Sequence, residues 1–485
     1  RVVALLYAFS YETLAPECQL VALTPDDWVD RIREHHPHVL MVESAWLGRE
    51  GEWQGQVERA PAILRSLVAS CRAAGIPTVF WNKEDPVHFE AFVETAGLFD
   101  HVLTTDASSI PRYRRILGQS SVGLLPFGFQ PRTHHPVGDE ARRSASVFAG
   151  AWYGNMPDRC ADFQAVADPL ALAGPLVIHD RHDGKGAPHQ QFPSRFRDSV
   201  RPKVSYAETA SLYRSYRIGV NLNTVKQSPS MFARRVLEMI GCNLSVYGNF
   251  SLAVRMLLGE LTVSTDDADT MLLQAWEELR YPDEERFRER RLVALRKVLS
   301  QHTWAHRLQV IAKRVTGVDM PVSPGQVKVL AKAHTQAQAD AVVAAFVGQS
   351  LEAKVLVMEA GRDVQLPAWV ERFQDARWSG DDWIAVFHPD DFYGRHYLED
   401  LALARAFGLG DALGKASWPE IGTEGGVLLR GAGMEYRLVE RLALRRGLFR
   451  AAVYSPEALR GMLDDENAHV EGGAMVSTDA SSYLM

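Results

Sequence analysis

Short apolar runs alternate with amphipathic, helix-period stretches along most of this 485-residue chain. That alternation admits few folds: a strand followed by a crossover helix returns parallel to its neighbour, and the helices then cover both faces of the sheet. In the first part Val2–Ala8, Val39–Val42, Thr78–Trp81, His101–Thr104 and Val122–Leu125 read as strands, with helices at Asp26–Glu34 and Ala60–Ala74. Ile63, Leu64, Leu67 and Val68 give the second helix its apolar face, and Gly75-Ile76-Pro77 ends it and opens the next strand. A second α/β unit begins near Ser144–Gly150 and runs through Leu176–Ile178, Ile218–Leu222 and Asn243–Tyr247, closed by the helical stretch Thr265–Val315. Pro321-Val322-Ser323-Pro324-Gly325 is the clearest boundary, and strand, helix, strand follow it in VKVLAKA, Gln336–Phe346 and EAKVLVMEAG. The expected domains are 1–140, 141–320 and 326–485.

A chain of this length exceeds what one core serves. With 46% hydrophobic and 23% charged residues it has the composition of a globular enzyme. The net charge of −7 supplies no field to recruit nucleic acid or anionic lipid. Cys18, Cys71, Cys160 and Cys242 are scattered, with no C-x-x-C spacing, which argues against a disulfide framework or a zinc site and fits a reducing compartment. No apolar run reaches the roughly 18–20 residues that span a bilayer. The opening VVALLYAF has neither an initiator Met nor a signal-type n-region, so a trimmed start is expected. The expectation is a soluble cytoplasmic protein, with homo-oligomerisation left open.

Chemistry concentrates in residues 227–248, QSPSMFARRVLEMIGCNLSVYG, after a strand that ends at Asn223. Small polar residues, Ser228 and Ser230 among them, lead into a helix carrying Arg235 and Glu238 one turn apart. A strand, a polar loop and a helix start form a place where backbone N–H groups meet an anion. Arg235 has the planar fork to clamp a diphosphate, and Glu238 can accept from a ribose hydroxyl. An ordinary i,i+3 surface pair explains the same spacing. Gly150, Tyr153 and their neighbours leave the first strand of the second unit, where a glycine lets backbone approach a phosphate closely. His179-Asp180-Arg181-His182-Asp183 lacks any fixed ligand spacing and reads as a base-facing or surface loop.

In the first unit the loop Asn82–His88 holds Glu84, Asp85 and His88 at a strand's C-terminal end, where open α/β sheets bind ligands. Any of the three could serve an acceptor hydroxyl as a base. Asp85 before Pro86 also reads as a helix N-cap, which leaves His88 and Glu84 as the stronger catalytic candidates. Glu43 and Trp46 follow another strand and suit an acceptor: Glu43 for hydroxyls, Trp46 and Trp53 for the flat face of a sugar ring.

Arg235-Val236-Leu237-Glu238 after a strand ending in Asn resembles the donor segment of two-domain (GT-B) glycosyltransferases, and more closely the CgeB-like, spore-maturation type. ESAWLGREGEW (43–53), FWNKEDPVHFEAF (80–92), LTTDASSIPRYR (103–114), FAGAWYGNMPDR (148–159) and HTWAHR (302–307) fall in the order and spacing of that family, so the resemblance covers about residues 1–315. It implies an α/β, GT-B fold of two Rossmann-like domains, the last helix crossing back to the first of them. It also implies a UDP-, GDP- or dTDP-linked sugar donor bound by Gly150, Tyr153, Asn223, Ser228, Ser230, Arg235 and Glu238. No obligatory metal is implied, and the acceptor would be a glycan, a polymer or a protein.

Residues 326–485 are similar to a smaller GT-A-like domain. IAVFHPDDFYGRHYLEDL (384–401) occupies the place of an Asp-x-Asp metal motif, but reads His388-Pro389-Asp390-Asp391. A diphosphate-bound metal prefers hard oxygen ligands, so His388 leaves Asp390 and Asp391 as weak metal candidates. The expectation is a degenerate domain for packing, acceptor binding or assembly. A second active transferase, or a sugar-binding module without turnover, are the alternatives.

Overall fold

The computed structural model describes residues 1–118, 121–282, 284–319, 325–421, 426–465 and 467–484. Of the expected linker Pro321–Gly325 only Gly325 lies within them. The chain divides into two compact units, Arg1–His134 with Glu140–Val322, and His135–Asp139 with Ser323–Met485.

The first unit holds two parallel sheets. One is built from β1 (Val2–Leu5), β2 (Leu20–Ala22), β3 (Val39–Glu43), β4 (Thr78–Asn82), β5 (His101–Thr104) and β6 (Val122–Leu124), in the order β2-β1-β3-β4-β5-β6. β1, β3 and β4 are buried along their whole length, which is why they read as continuous apolar runs rather than alternating ones. The opening strand ends at Leu5, not Ala8, and a helix starts at Ala8. Leu5 is the last residue of β1 in register with β3, so beyond it no ladder holds the chain extended.

The second sheet contains β7 (Arg143–Gly150), β8 (Leu176–Asp180), β9 (Val200–Arg201), β10 (Tyr216–Asn221), β11 (Ser245–Gly248) and β12 (Val263–Ser264), ordered β12-β11-β10-β7-β8-β9. The chain winds outward from β7 to β9, then returns to the other side of β7 as β10. That reversal opens a crevice between the C-terminal ends of β7 and β10. The first sheet reverses in the same way between β1 and β3. Two such sheets in succession are the Rossmann-like pair of a GT-B fold.

The stretch Thr265–Val315 resolves into the helices Ala268–Arg280, Glu285–Gln301 and Trp304–Thr316. The last of them packs on the first sheet. Trp304 meets Trp81 of β4 edge-on with centroids 5.5 Å apart, and Arg307 donates to the carbonyls of Pro126 (2.8 Å) and Phe127 (2.8 Å). Gly128 makes the crossing close: a side chain there would come within 3.2 Å of the Thr303 backbone.

The second unit is built on a mixed sheet. β13 (Val327–Ala333), β14 (Lys354–Ala360), β15 (Glu371–Arg372) and β16 (Trp383–Phe387) are parallel, ordered β15-β14-β13-β16, and the sheet continues through Gly447–Arg450, Ala412–Gly414, His469–Ser477 and Leu438–Ala443. Among the described residues no helix is long and apolar enough to cross a membrane.

Candidate functional site

At the crevice of the second sheet β7 ends in Gly150, and the Phe148 ring and the Arg235 guanidinium crowd it: a Cβ there would stand 3.2 Å from Arg235 Nη1. Arg235, first residue of the helix Arg235–Gly241, donates from Nη1 to the Ala149 carbonyl at 2.5 Å. Arg181, just past β8, ties its backbone N–H to the Gly150 carbonyl at 2.8 Å. Arg159, from the helix Pro157–Ala173, donates to Thr224 Oγ1 and lies 5.3 Å from the centroid of the Tyr153 ring. Among the described residues none of these three arginines has a carboxylate partner. Burial pulls the Arg235 guanidinium below its ordinary range, and Arg181 and Arg234 add to the effect. Arg159 is lowered by burial and then by Arg235 and Arg181. Tyr213 and Glu238 oppose the effect at Arg235, but neither stands within ion-pair distance of it among the described residues, and like charges drawn together in this way can receive an anion.

The loop from Asn223 to Ala233 places the helix that carries Arg235. Asn223 Oδ1 accepts from the Ala233 N–H at 2.9 Å, and its own N–H donates to Asn249 Oδ1 at 2.8 Å. Ser228 and Ser230 reach to the first sheet. Ser228 Oγ donates to Asp106 Oδ1 at 2.5 Å, while Ser230 Oγ donates to the Thr105 carbonyl at 2.8 Å and accepts from the Ala107 N–H at 2.8 Å. Burial alone would raise the Asp106 carboxyl, but the hydroxyls of Ser108, Ser109 and Ser228 hold it below the usual carboxylate range. Both serines therefore fasten the two sheets together at their C-terminal ends.

Glu238 is buried, and its Oε1 takes Arg234 Nε at 2.7 Å and the Tyr206 hydroxyl at 2.9 Å. Burial would raise this carboxyl, yet Arg234, His134 and Tyr206 keep it lowered and charged. It aims the Arg234 guanidinium over the Phe9 ring, 3.9 Å from the centroid. Lys83 Nζ stands 4.2 Å from the same centroid, so the 82–88 loop and the 223–238 segment meet around one aromatic ring.

At the crevice of the first sheet Glu43 closes β3, fully buried, with Lys83 Nζ 2.9 Å from its Oε1. The same oxygen accepts the Tyr7 N–H at 2.5 Å. Burial lowers the Lys83 ammonium, opposed by Glu43. Trp46 is half-buried, its ring edge-on to His88 with centroids 5.3 Å apart. His88 is exposed and Glu84 half-buried. Asp85 caps no helix: the next one begins at Phe89, with His88 at its N-cap. Asp85 lies instead under the loop, accepting from Thr104 Oγ1 at 2.6 Å and Asn82 Nδ2 at 2.9 Å, and burial pushes its carboxyl up to about 7. Trp53 presents no face to a ligand. It is fully buried and donates from Nε1 to the Leu23 carbonyl at 2.7 Å.

In the second unit Asp391 is buried beside Tyr393, whose hydroxyl is 3.2 Å away, and pairs with Arg445 at 3.5 Å. Asp390 is exposed, with His388 Nδ1 at 3.7 Å. No cluster of three or more His, Cys, Asp or Glu among the described residues is arranged to hold a metal ion.

Residues 163–313 match the family described as glycosyl transferase-like, which makes the greater part of the second sheet's domain glycosyltransferase-like. No curated protein matches the chain in sequence. Among solved structures it is similar to Anabaena HepE in complex with UDP and glucose, at 12% identity and a TM-score of 0.42, over 65% of this chain and 92% of that one. A glycosyltransferase from Rickettsia africae ESF-5 gives a TM-score of 0.42 at 8% identity, over 65% of this chain and 90% of that one. A UDP-forming trehalose-phosphate synthase from Burkholderia xenovorans gives 0.39 at 12% identity, over 59% and 76%.

Proposed function

We propose that this protein is a nucleotide-sugar-dependent glycosyltransferase of the CgeB-like GT-B type. The observation that carries the proposal is Arg235 packed against Gly150 at the second sheet's crevice, with Arg159 and Arg181 near enough to add their charge and no carboxylate paired to any of the three among the described residues. A nucleotide-sugar diphosphate gains negative charge as the glycosidic bond breaks. Fixed cations in a partly dry site favour that charged state over the intact donor and lower the barrier. The arginines do what a divalent metal does elsewhere, so no obligatory metal is expected. Gly150, Tyr153 and Asn223 frame the donor. Ser228 and Ser230 hold the sheets in place around it, and Glu238 acts on it through Arg234.

The acceptor, a glycan, a polymer or a protein, would approach over Trp46, with the buried Glu43 acting from beneath through Lys83. His88, exposed on the loop after β4, is the group we assign to take its hydroxyl proton, with Glu84 next to it and Asp85 fixing the loop from beneath. UDP-, GDP- and dTDP-sugars are equally compatible with a site read from its phosphate end, and the setting we propose is cytoplasmic. Incubating the protein with a panel of these donors, alone and with acceptor glycans, tests the reading. Nucleoside diphosphate release from at least one donor is expected, lost in Arg235→Ala. Donor binding without any release in the whole panel would leave a binding module in place of an enzyme.

A further inference from the structure

The parallel strands of the second unit's sheet also reverse direction, with β14 and β16 on opposite sides of β13. A small pocket of about 150 Å³ opens where β13 and β16 end, between His334 after β13 and His388 after β16. Open sheets bind ligands at this position. The volume is half of the ~300 Å³ at which sites for drug-sized ligands begin, so it admits a single ring and not a nucleoside diphosphate.

Its lining is balanced in charge, unlike the arginine site of the first unit. Lys332 is paired with Asp464 at 2.5 Å, His334 faces the same carboxylate at 3.6 Å, and Arg445 is paired with Asp391 at 3.5 Å. Asp465 adds a further carboxylate. A phosphate would have to displace carboxylates already in place, whereas a neutral polyhydroxylated ring can donate to them and accept from the cations. Gln338 spends its Oε1 on the His334 N–H at 2.8 Å, which leaves its amide nitrogen to donate. Phe387, Leu444 and Leu463 contribute apolar atoms to the lining, which suit the carbon atoms of a ring.

We propose that this pocket is a binding subsite for one neutral sugar residue, distinct from the donor site of the first unit. The inference does not rest on transferase activity, because the pocket belongs to a different sheet and its chemistry differs. Saturation-transfer NMR on the full-length protein with glucose, galactose, mannose and N-acetylglucosamine tests it. At least one sugar should show saturation with an affinity in the millimolar range, the strength one ring's few atoms supply. Excess UDP and Arg235→Ala should leave the signal unchanged. Asp464→Asn, an exposed and isosteric change, and Lys332→Met should each weaken binding at least about fivefold while melting stays near that of the parent. The proposal is overturned if none of the four sugars saturates, if UDP displaces the bound sugar, or if both variants bind as the parent does.

Discussion

A half-buried guanidinium without a carboxylate is held in place by what it touches, and among the described residues Arg235 has the Ala149 carbonyl and the Phe148 ring for that purpose. Replacing it therefore removes little from the folded state and much from an anion. Arg235→Ala should weaken donor binding and turnover at least tenfold with melting nearly unchanged, since a charge-assisted contact contributes roughly 1.5–3 kcal/mol. Isothermal titration with nucleotide sugars, next to a melting curve, checks both halves. Unfolding of the variant would make Arg235 a structural residue. Asp85 makes the opposite case. Its carboxyl sits at about 7 because burial disfavours the charge, so the native state binds the proton more tightly than the unfolded chain does. Stability is then highest below the unfolded value near 4 and falls by up to about 1.4 kcal/mol per pH unit between roughly pH 4 and 7. Asp85→Asn should flatten that decline, gaining on the parent at pH 8 and matching it near pH 4 in urea titrations.

Two elements hold the sheets of the first unit together: the serine-bearing loop before Arg235 and the helix Trp304–Thr316. Trp304 is almost wholly buried against Trp81, and its removal leaves a cavity between the helix and the first sheet. Trp304→Ala should cost ~3–5 kcal/mol in chemical denaturation. The Glu238–Arg234 pair works at the same scale, because it orients a guanidinium over Phe9. Glu238→Gln should raise the KM for the donor more than it lowers kcat, since a misaimed Arg234 affects ground and transition states alike. A collapsed kcat at constant KM would instead give Glu238 a part in the chemistry.

For the molecule as a whole the prediction concerns metal. Transfer by the first unit should persist in EDTA, and in Asp390→Ala, because guanidiniums meet the departing diphosphate and Asp390 lies exposed on another unit. Loss of all donor turnover on chelation, with the fold intact by circular dichroism, would move the chemistry to a metal site and overturn the arginine reading.

The sequence by itself determined the central strands and much of the site's composition, but not the short strands Leu20–Ala22, Val200–Arg201 and Val263–Ser264. Period and punctuation are local signals, so Val39–Val42, Thr78–Trp81 and Ser144–Gly150 were legible without coordinates, as were Arg235 and Glu238 on one short helix. Tertiary structure decided what those residues face. Arg159 and Arg181 lie far from Arg235 along the chain, and neither the segment 148–159 nor the stretch 179–183 that holds them shows by itself that they meet it. They converge because parallel strands deliver every strand-to-helix loop to the same end of a sheet. Glu238 reads from sequence as a group for a ribose, and the fold adds what sequence does not show, that Arg234 and Tyr206 meet its Oε1. Asp85 looked like a helix cap until the helix began at Phe89 and left it buried. Local pattern fixes which segments become strands and helices, but a side chain's charge state and partners depend on burial and on residues distant in sequence, and only the packed chain supplies those.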